Sequence, residues 1–261
     1  MRPAFPSLIG MIHLPPLPGS PANRWPLARI CQQACRDARA LADAGFDAVI
    51  IENFGDAPFR PDRVDPHTVA CMTAAAEAVS REIAIPVGIN ALRNDPIAAL
   101  AVAAACGAAF IRVNVHVGAC LADQGILQGR ADETLRFRRR IGCQAAVLAD
   151  VHVKHARPLA PQPIAEAAEE TAYRGRADGL IVSGPATGRP AAMEDLRAVR
   201  AAVPDRPLLV GSGASAETVR DLLTVADGVI VGTAIKYDAC TTSPVDPDRA
   251  AAFVAAARSR S

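Results

Sequence analysis

PLLVGSG, residues 207–213, joins an apolar run of strand type to a Gly-Ser-Gly turn, and the chain repeats that shape. Seven further runs match it: LIGMIH (8–13), DAVIIEN (47–53), IPVGIN (85–90), AFIRVN (109–114), AAVLAD (145–150), GLIVSG (179–184) and GVIVGT (228–233). Between them lie alanine-rich stretches of helical period, such as LARICQQACRDARALADAG from Leu27, PIAALAVAAACG from Pro96 and ETLRFRRRIG from Glu133. Gly45, Gly107 and Gly142 stand where such helices end, and Asn94 and Asp95 before Pro96 mark a start. Apolar strands alternating with helices predict a parallel sheet covered on both faces. Eight such units predict an α/β fold closed as a (β/α)8 TIM barrel.

The length of 261 residues and the apolar share of 51% fit one barrel, and no linker or shift of composition divides the chain, so residues 1–261 read as a single domain. Formal net charge is +1, and basic residues are dispersed apart from Arg136, Arg138, Arg139 and Arg140, which argues against nucleic acid as a partner. The seven cysteines show no repeated spacing and no CxxC, so they read as reduced core residues. The first residues lack the apolar run of a secretion signal, and the run from Ile97 is too short to span a bilayer. A cytoplasmic protein is expected, with its alanine-rich outer helices pairing it into a homo-oligomer.

Barrels of this kind place chemistry at the carboxyl ends of their strands. Those ends carry His13, Glu52 with Asn53, Asn90, Asn114, Asp150, Ser183, Ser212 and Thr233, whereas the amino ends are bland. A lone polar residue at a strand end is often only a turn former, but here polarity converges from every unit. The glycine-rich turns of the last two units can present backbone N–H groups to an anion. Gly211, Ser212, Gly213, Gly232 and Thr233 are therefore the phosphate candidates, with Ser183, Gly184 and Thr187 extending the cradle, Ser215 opening the next helix and Lys236 adding charge.

LADVHVKHA, residues 148–156, ends the fifth strand in a cluster of titratable groups. Alternation sets Asp150, His152 and Lys154 on one face and Val151, Val153 and His155 on the other. Lys154 is placed to act as proton donor, electrostatic clamp or Schiff-base nucleophile. Glu52 supplies a second carboxylate, so the two divide into acid and base, hold a divalent cation with His13 or His152, or merely close the rim as ion pairs. No HxH or HExxH spacing supports metal, and no cofactor is required. Arg93, Arg112, Asp123 and Gln124 are further candidates to contact a substrate, although Arg112 sits inside a strand and could instead reach the helix layer, and His67 and His116 read as core or surface.

MIHLPPLPGSP, DAVIIENFGDAPF, VGINALRND, FIRVNVHVGA, DQGILQGRA, LADVHVKHA, DGLIVSGPATG, LLVGSG and DGVIVGTAIK, in this order, resemble the BtpA/SgcQ family over roughly residues 8–256. The resemblance implies a ribulose-phosphate-binding type of barrel. It also implies that His13, Glu52, Asn53, Asn90, Arg93, Asn114, Asp150, Lys154, Ser183, Ser212 and Thr233 belong to the family's motifs.

The resulting expectation is an enzyme acting on a phosphorylated sugar or pentose phosphate by isomerisation, epimerisation or aldol-type cleavage. Glu52, Asp150, Lys154 and His13 are its catalytic candidates, and Asn53, Asn90, Arg93, Asn114 and His152 its substrate-binding ones. Two alternatives stand beside it. One is a non-enzymatic assembly or stability factor of the photosystem I biogenesis type. The other is a metal-assisted hydrolase of nucleotides or glycosidic bonds.

Overall fold

Residue parity along the strands sets the architecture. In β1 (Leu8–His13), Ile9 and Met11 join one apolar cluster while Leu8 and Ile12 join another, as period-two alternation requires. The computed structural model describes residues 6–184 and 191–259. The remaining strands, in chain order, are β2 (Ala48–Glu52), β3 (Val87–Asn90), β4 (Phe110–Val113), β5 (Ala119–Ala122), β6 (Gly125–Gln128), β7 (Ala146–Val151), β8 (Ala156–Pro158), β9 (Gly179–Val182), β10 (Leu208–Val210) and β11 (Gly228–Val231). Strands β1, β2, β3, β4, β7, β9, β10 and β11 pair in parallel and close into a barrel. These are the eight runs read from the sequence, with ends shifted by at most three residues.

Two apolar layers hold the barrel. Inward parity stacks Ile9, Met11, Ile50, Phe110, Leu148, Ile181, Leu209 and Ile230 into an interior plug. Outward parity packs the other strand residues against α1 (Leu27–Ala44), α2 (Pro66–Glu82), α3 (Pro96–Cys106), α4 (Ala131–Arg140), α5 (Ile164–Glu169), α6 (Met193–Ala202), α7 (Val219–Leu223) and α8 (Pro247–Arg258). A Cβ on Gly88 would strike the Phe110 ring, so the missing side chain on β3 is what lets that ring lie across the interior. Gly45 (φ 93°) and Gly107 (φ 69°) close α1 and α3 in the left-handed region. The Asp95 carboxylate caps α3 by accepting from the N–H groups of Ile97 and Ala98 at 3.1 and 3.0 Å.

The same inward parity, carried past the plug, raises His13, Glu52, Asn90, Arg112, Asp150 and Ser183 to the carboxyl mouth. Register confirms the ring: His13 pairs with Glu52, and Glu52 with Asn90. Of the two placements open to Arg112, the helix layer and the substrate side, the structure takes the inward one. Arg112 shares parity with Phe110 and Asn114 and turns into the barrel, 3% exposed.

Two features were not foreseen. The loops after β4 and β7 build an antiparallel sheet in the order β6–β5–β8, whose strands of three or four residues are too short for periodicity to announce. One face carries Cys120 and Leu127, buried with Val115 and Val153. Leu121, Ile126 and the neighbouring Leu159 are each more than half exposed. After β10, Ser215 opens a turn through its carbonyl, which accepts from Val219 N–H at 2.9 Å, and helix proper begins only at Val219. All seven cysteines are free thiols, and no helix among the described residues is long and apolar enough to cross a membrane.

Candidate functional site

The mouth encloses a cavity of about 220 Å³ lined by His13, Glu52, Arg112, Lys154, Gly211, Ser212, Gly213, Gly232 and Thr233, with Met11, Ala214, Ser215, Ala234 and Ala239 completing it. Side chains from β1 and β2 thus face glycine turns from β10 and β11 across one small space. Gly211 is needed there, since a Cβ would press on Ile181 and on the Ser183 hydroxyl. Gly213 takes φ 74°, a conformation favouring glycine. A Cβ on Gly232 would lie 3.0 Å from His13 Cε1. Larger residues would therefore fill the cavity or displace its walls.

His13 Nδ1 lies 3.0 Å from the Thr241 carbonyl, which can only accept, so Nδ1 carries the hydrogen. Burial pushes the imidazole well below its ordinary value of 6.5, and the charge of Lys236 adds to this, as do Lys154 and Arg112; the Thr241 bond opposes them. The ring is therefore neutral near pH 7, its Nε2 lone pair 3.7 Å from Glu52 Oε1. Phe54 packs against it at a tilt of 30°, with centroids 4.6 Å apart. Glu52 Oε2 accepts from Asn90 Nδ2 at 2.5 Å, which leaves Oε1 toward His13. Asn90 is 1% exposed, and its Oδ1 has no hydrogen-bond partner among the described residues.

Across the mouth the groups are tied to one another. Asp150 accepts from Arg112 Nε (3.0 Å) and Nη2 (2.8 Å), from Asn114 Nδ2 (2.9 Å) and from the Ser183 hydroxyl (3.1 Å). Four donors on two oxygens use the acceptor capacity of a carboxylate. That geometry suits an anchor for Arg112 better than the acid–base role expected from position. Asn114 Oδ1 is a second buried acceptor without a partner among the described residues.

Alternation along LADVHVKHA stops at His152, whose φ of 53° turns the backbone left-handed, and His155 repeats this at 58°. Lys154 consequently lines the mouth cavity and Asp150 lies behind it, bonded to Arg112, while His152 and His155 line a separate cleft. Burial, then the adjacent Arg112, lowers the Lys154 ammonium below its usual range, against the pull of Glu52 and Asp150. The Lys154 carbonyl accepts from Arg93 Nη2 at 2.7 Å, so Arg93 holds the loop from behind. Asn53 is likewise engaged in a loop, where its Oδ1 accepts from Leu92 N–H at 2.7 Å and its Nδ2 donates to Asp56. Neither Asn53 nor Arg93 lines the cavity.

Gly184 N–H donates to the Ser212 hydroxyl at 3.2 Å, joining the sixth and seventh barrel units, while Thr187 lies outside the described residues. Thr233 is bonded to the Thr241 hydroxyl at 2.9 Å. Thr241, in a polar loop after the last strand, escaped sequence reading because nothing in its neighbours marks it as the partner of His13. Lys236 is fully buried, and its Nζ has no hydrogen-bond partner among the described residues; burial lowers it while Asp37 and Glu52 raise it. His116 is buried and donates from Nε2 to the Gly175 carbonyl at 2.8 Å, a packing role. Among the described residues, no group of three or more His, Cys, Asp or Glu is placed to hold a metal ion.

A family model matches residues 5–259 and carries the description BtpA family. The chain belongs to the BtpA family. This member is 45% identical to the photosystem I biogenesis protein BtpA of Synechocystis sp. over 249 residues, covering 95% of this chain and 87% of the relative. It is 44% identical to an uncharacterized protein of Pyrococcus furiosus, covering 95% and 93% of the two chains. Among solved structures, orotidine 5'-phosphate decarboxylase from Pyrococcus horikoshii superposes with a TM-score of 0.60 at 15% identity, covering 97% of the BtpA-family chain and all of that one. N-(5'-phosphoribosyl)anthranilate isomerase from Pyrococcus furiosus does so with a TM-score of 0.58 at 16% identity, covering 97% and 98%. At such identities what is shared is the TIM-barrel fold.

Proposed function

We propose that the mouth cavity binds a small phosphorylated sugar, of pentose phosphate size, and moves a proton at the carbon next to its carbonyl. The observation that carries this reading is the meeting, in one cavity, of the glycine turns after β10 and β11 with His13, Glu52, Arg112 and Lys154. At about 220 Å³ the cavity falls below the roughly 300–1,000 Å³ of drug-sized ligand sites. The phosphate sits against the backbone of Gly213, Ala214, Thr233 and Ala234, where barrels of this kind commonly hold one. Asn90, which holds the cavity-lining Glu52, keeps a buried Oδ1 without a partner among the described residues and accepts from a hydroxyl of the sugar.

His13 Nε2 and Glu52 Oε1 form the proton-transfer pair. Lys154 and Arg112 face the oxygen on which negative charge develops and stabilise it. Returning the proton to the neighbouring carbon gives isomerisation; returning it to the opposite face gives epimerisation. The test is proton NMR in D2O with ribose 5-phosphate and related aldose and ketose phosphates. Wash-in of deuterium next to the carbonyl is expected, with loss in Glu52→Gln. Absence of exchange, together with no thermal stabilisation by any phosphate in either the native protein or Gly213→Asp, would overturn the reading. Borohydride trapping with the same sugars separates an imine on Lys154 from purely electrostatic assistance.

A second reading has its own support. The name of the Synechocystis relative and the exposed Leu121, Ile126 and Leu159 favour an assembly factor that uses the barrel for binding. A cell lacking the protein, complemented fully by a Glu52→Gln/Lys154→Met variant, would decide for it.

A further inference from the structure

LADVHVKHA serves two chambers, and the mechanism above uses only one. Beyond Lys154 lies an open cleft of about 950 Å³ between β8 and the start of α6, and Lys154 lines both it and the mouth cavity. Its walls include His152, His155, Leu121, Ile164 and Ala192, with Ser183 and Gly184 at the boundary with the phosphate turns. Two left-handed non-glycine residues, His152 and His155, bracket the lysine. Such conformations are uncommon for residues other than glycine and cluster where a site must be shaped. Here they turn the imidazoles away from the mouth while leaving the ammonium in it.

We infer that the substrate has two parts: a phosphorylated sugar in the mouth and, past Lys154, a planar ring-bearing group in the cleft. The inference rests on the proposed phosphate reading and extends it to the substrate's other half. Three observations carry it. The mouth is too small for more than the phosphosugar, and the cleft adjoins it at Lys154, which lines both. Alongside His152 and His155 the cleft sets the aliphatic Leu121, Ile164 and Ala192, and the buried Nε2 of His152 has no hydrogen-bond partner among the described residues. Charge is balanced, Lys154 and Arg157 against Asp123 and Asp195, so the cleft favours an uncharged ring over a second phosphate.

Calorimetry on the intact protein with inorganic phosphate, ribose 5-phosphate and uridine 5'-monophosphate tests this. Uridine 5'-monophosphate is expected to bind at least tenfold tighter than ribose 5-phosphate. Ala192→Trp, an exposed position at the edge of the cleft, is expected to remove that advantage while leaving ribose 5-phosphate within twofold. His152→Asn, which tolerates the left-handed backbone, is expected to weaken the nucleotide alone. Equal affinity for the two ligands, unchanged by Ala192→Trp, would overturn the two-part substrate and leave the phosphate pocket standing. No binding of any of the three would remove the pocket, and the inference with it.

Discussion

On the β4–β7–β9 side of the mouth, Asp150 takes hydrogen bonds from Arg112, Asn114 and Ser183, and the Arg112 and Asp150 side chains are 2% and 0% exposed. On the β1–β2–β3 side, Glu52 receives one such bond from Asn90, His13 keeps a free lone pair, and Lys154 leans across from the opposite rim. Both halves are buried and polar, built by the same strand parity. What separates them is satisfaction. A carboxylate with every acceptor site filled holds shape, whereas one with an oxygen facing a cavity can still exchange a proton.

Breaking the tied half should cost most. Arg112→Met is expected to lose about 3–5 kcal/mol in urea unfolding, because Asp150 is left as an uncompensated buried charge. The double change Arg112→Met/Asp150→Leu should recover most of it. If the single variant lost less than about 1 kcal/mol, the two halves would not differ as described. Next in size, Glu52→Gln should cut turnover about a hundredfold or more while leaving unfolding within about 1 kcal/mol of native. Gly213→Asp should then weaken phosphate binding at least tenfold by calorimetry, since it introduces like charge and an unfavourable φ together.

The smallest effect concerns pH. His13, His116, His152 and His155 all lie below the ordinary 6.5 in the folded chain, each chiefly through burial. The unfolded chain therefore takes up protons first, and stability is full above about pH 6.5 and falls as pH drops toward the folded values. For His13 alone the slope is at most about 1.4 kcal/mol per pH unit. Urea titrations of the native protein and His13→Gln at pH 7.5 and 5.5 should show a shallower loss in the variant; parallel losses would mean His13 protonates in place.

The barrel and much of its rim were legible because parallel strands buried on both faces write themselves as short apolar runs, and each run ends where its polar residue emerges. Glu52, Lys154 and the two glycine turns could be named from position along the chain. Arg112 could have been placed by counting from Phe110 and Asn114, but a charged residue inside an apolar strand invites the helix-layer reading. His152 went the other way: counting put it in the mouth, and a single positive φ took it out. Asn53 and Arg93 matched the rim by position but are engaged in loop hydrogen bonds that no spacing announces.

Local pattern, then, determined the elements, their order and which residues approach the carboxyl end, since alternation and helical period are properties of neighbouring residues. Tertiary structure alone decided who is bonded to whom there. That Asp150 is saturated and Asn90 Oδ1 is not, or that Thr241 fixes the His13 tautomer, depends on atoms brought within 3 Å from distant parts of the chain. Hydrogen bonding and charge act over such distances in space, and no spacing along the chain encodes them.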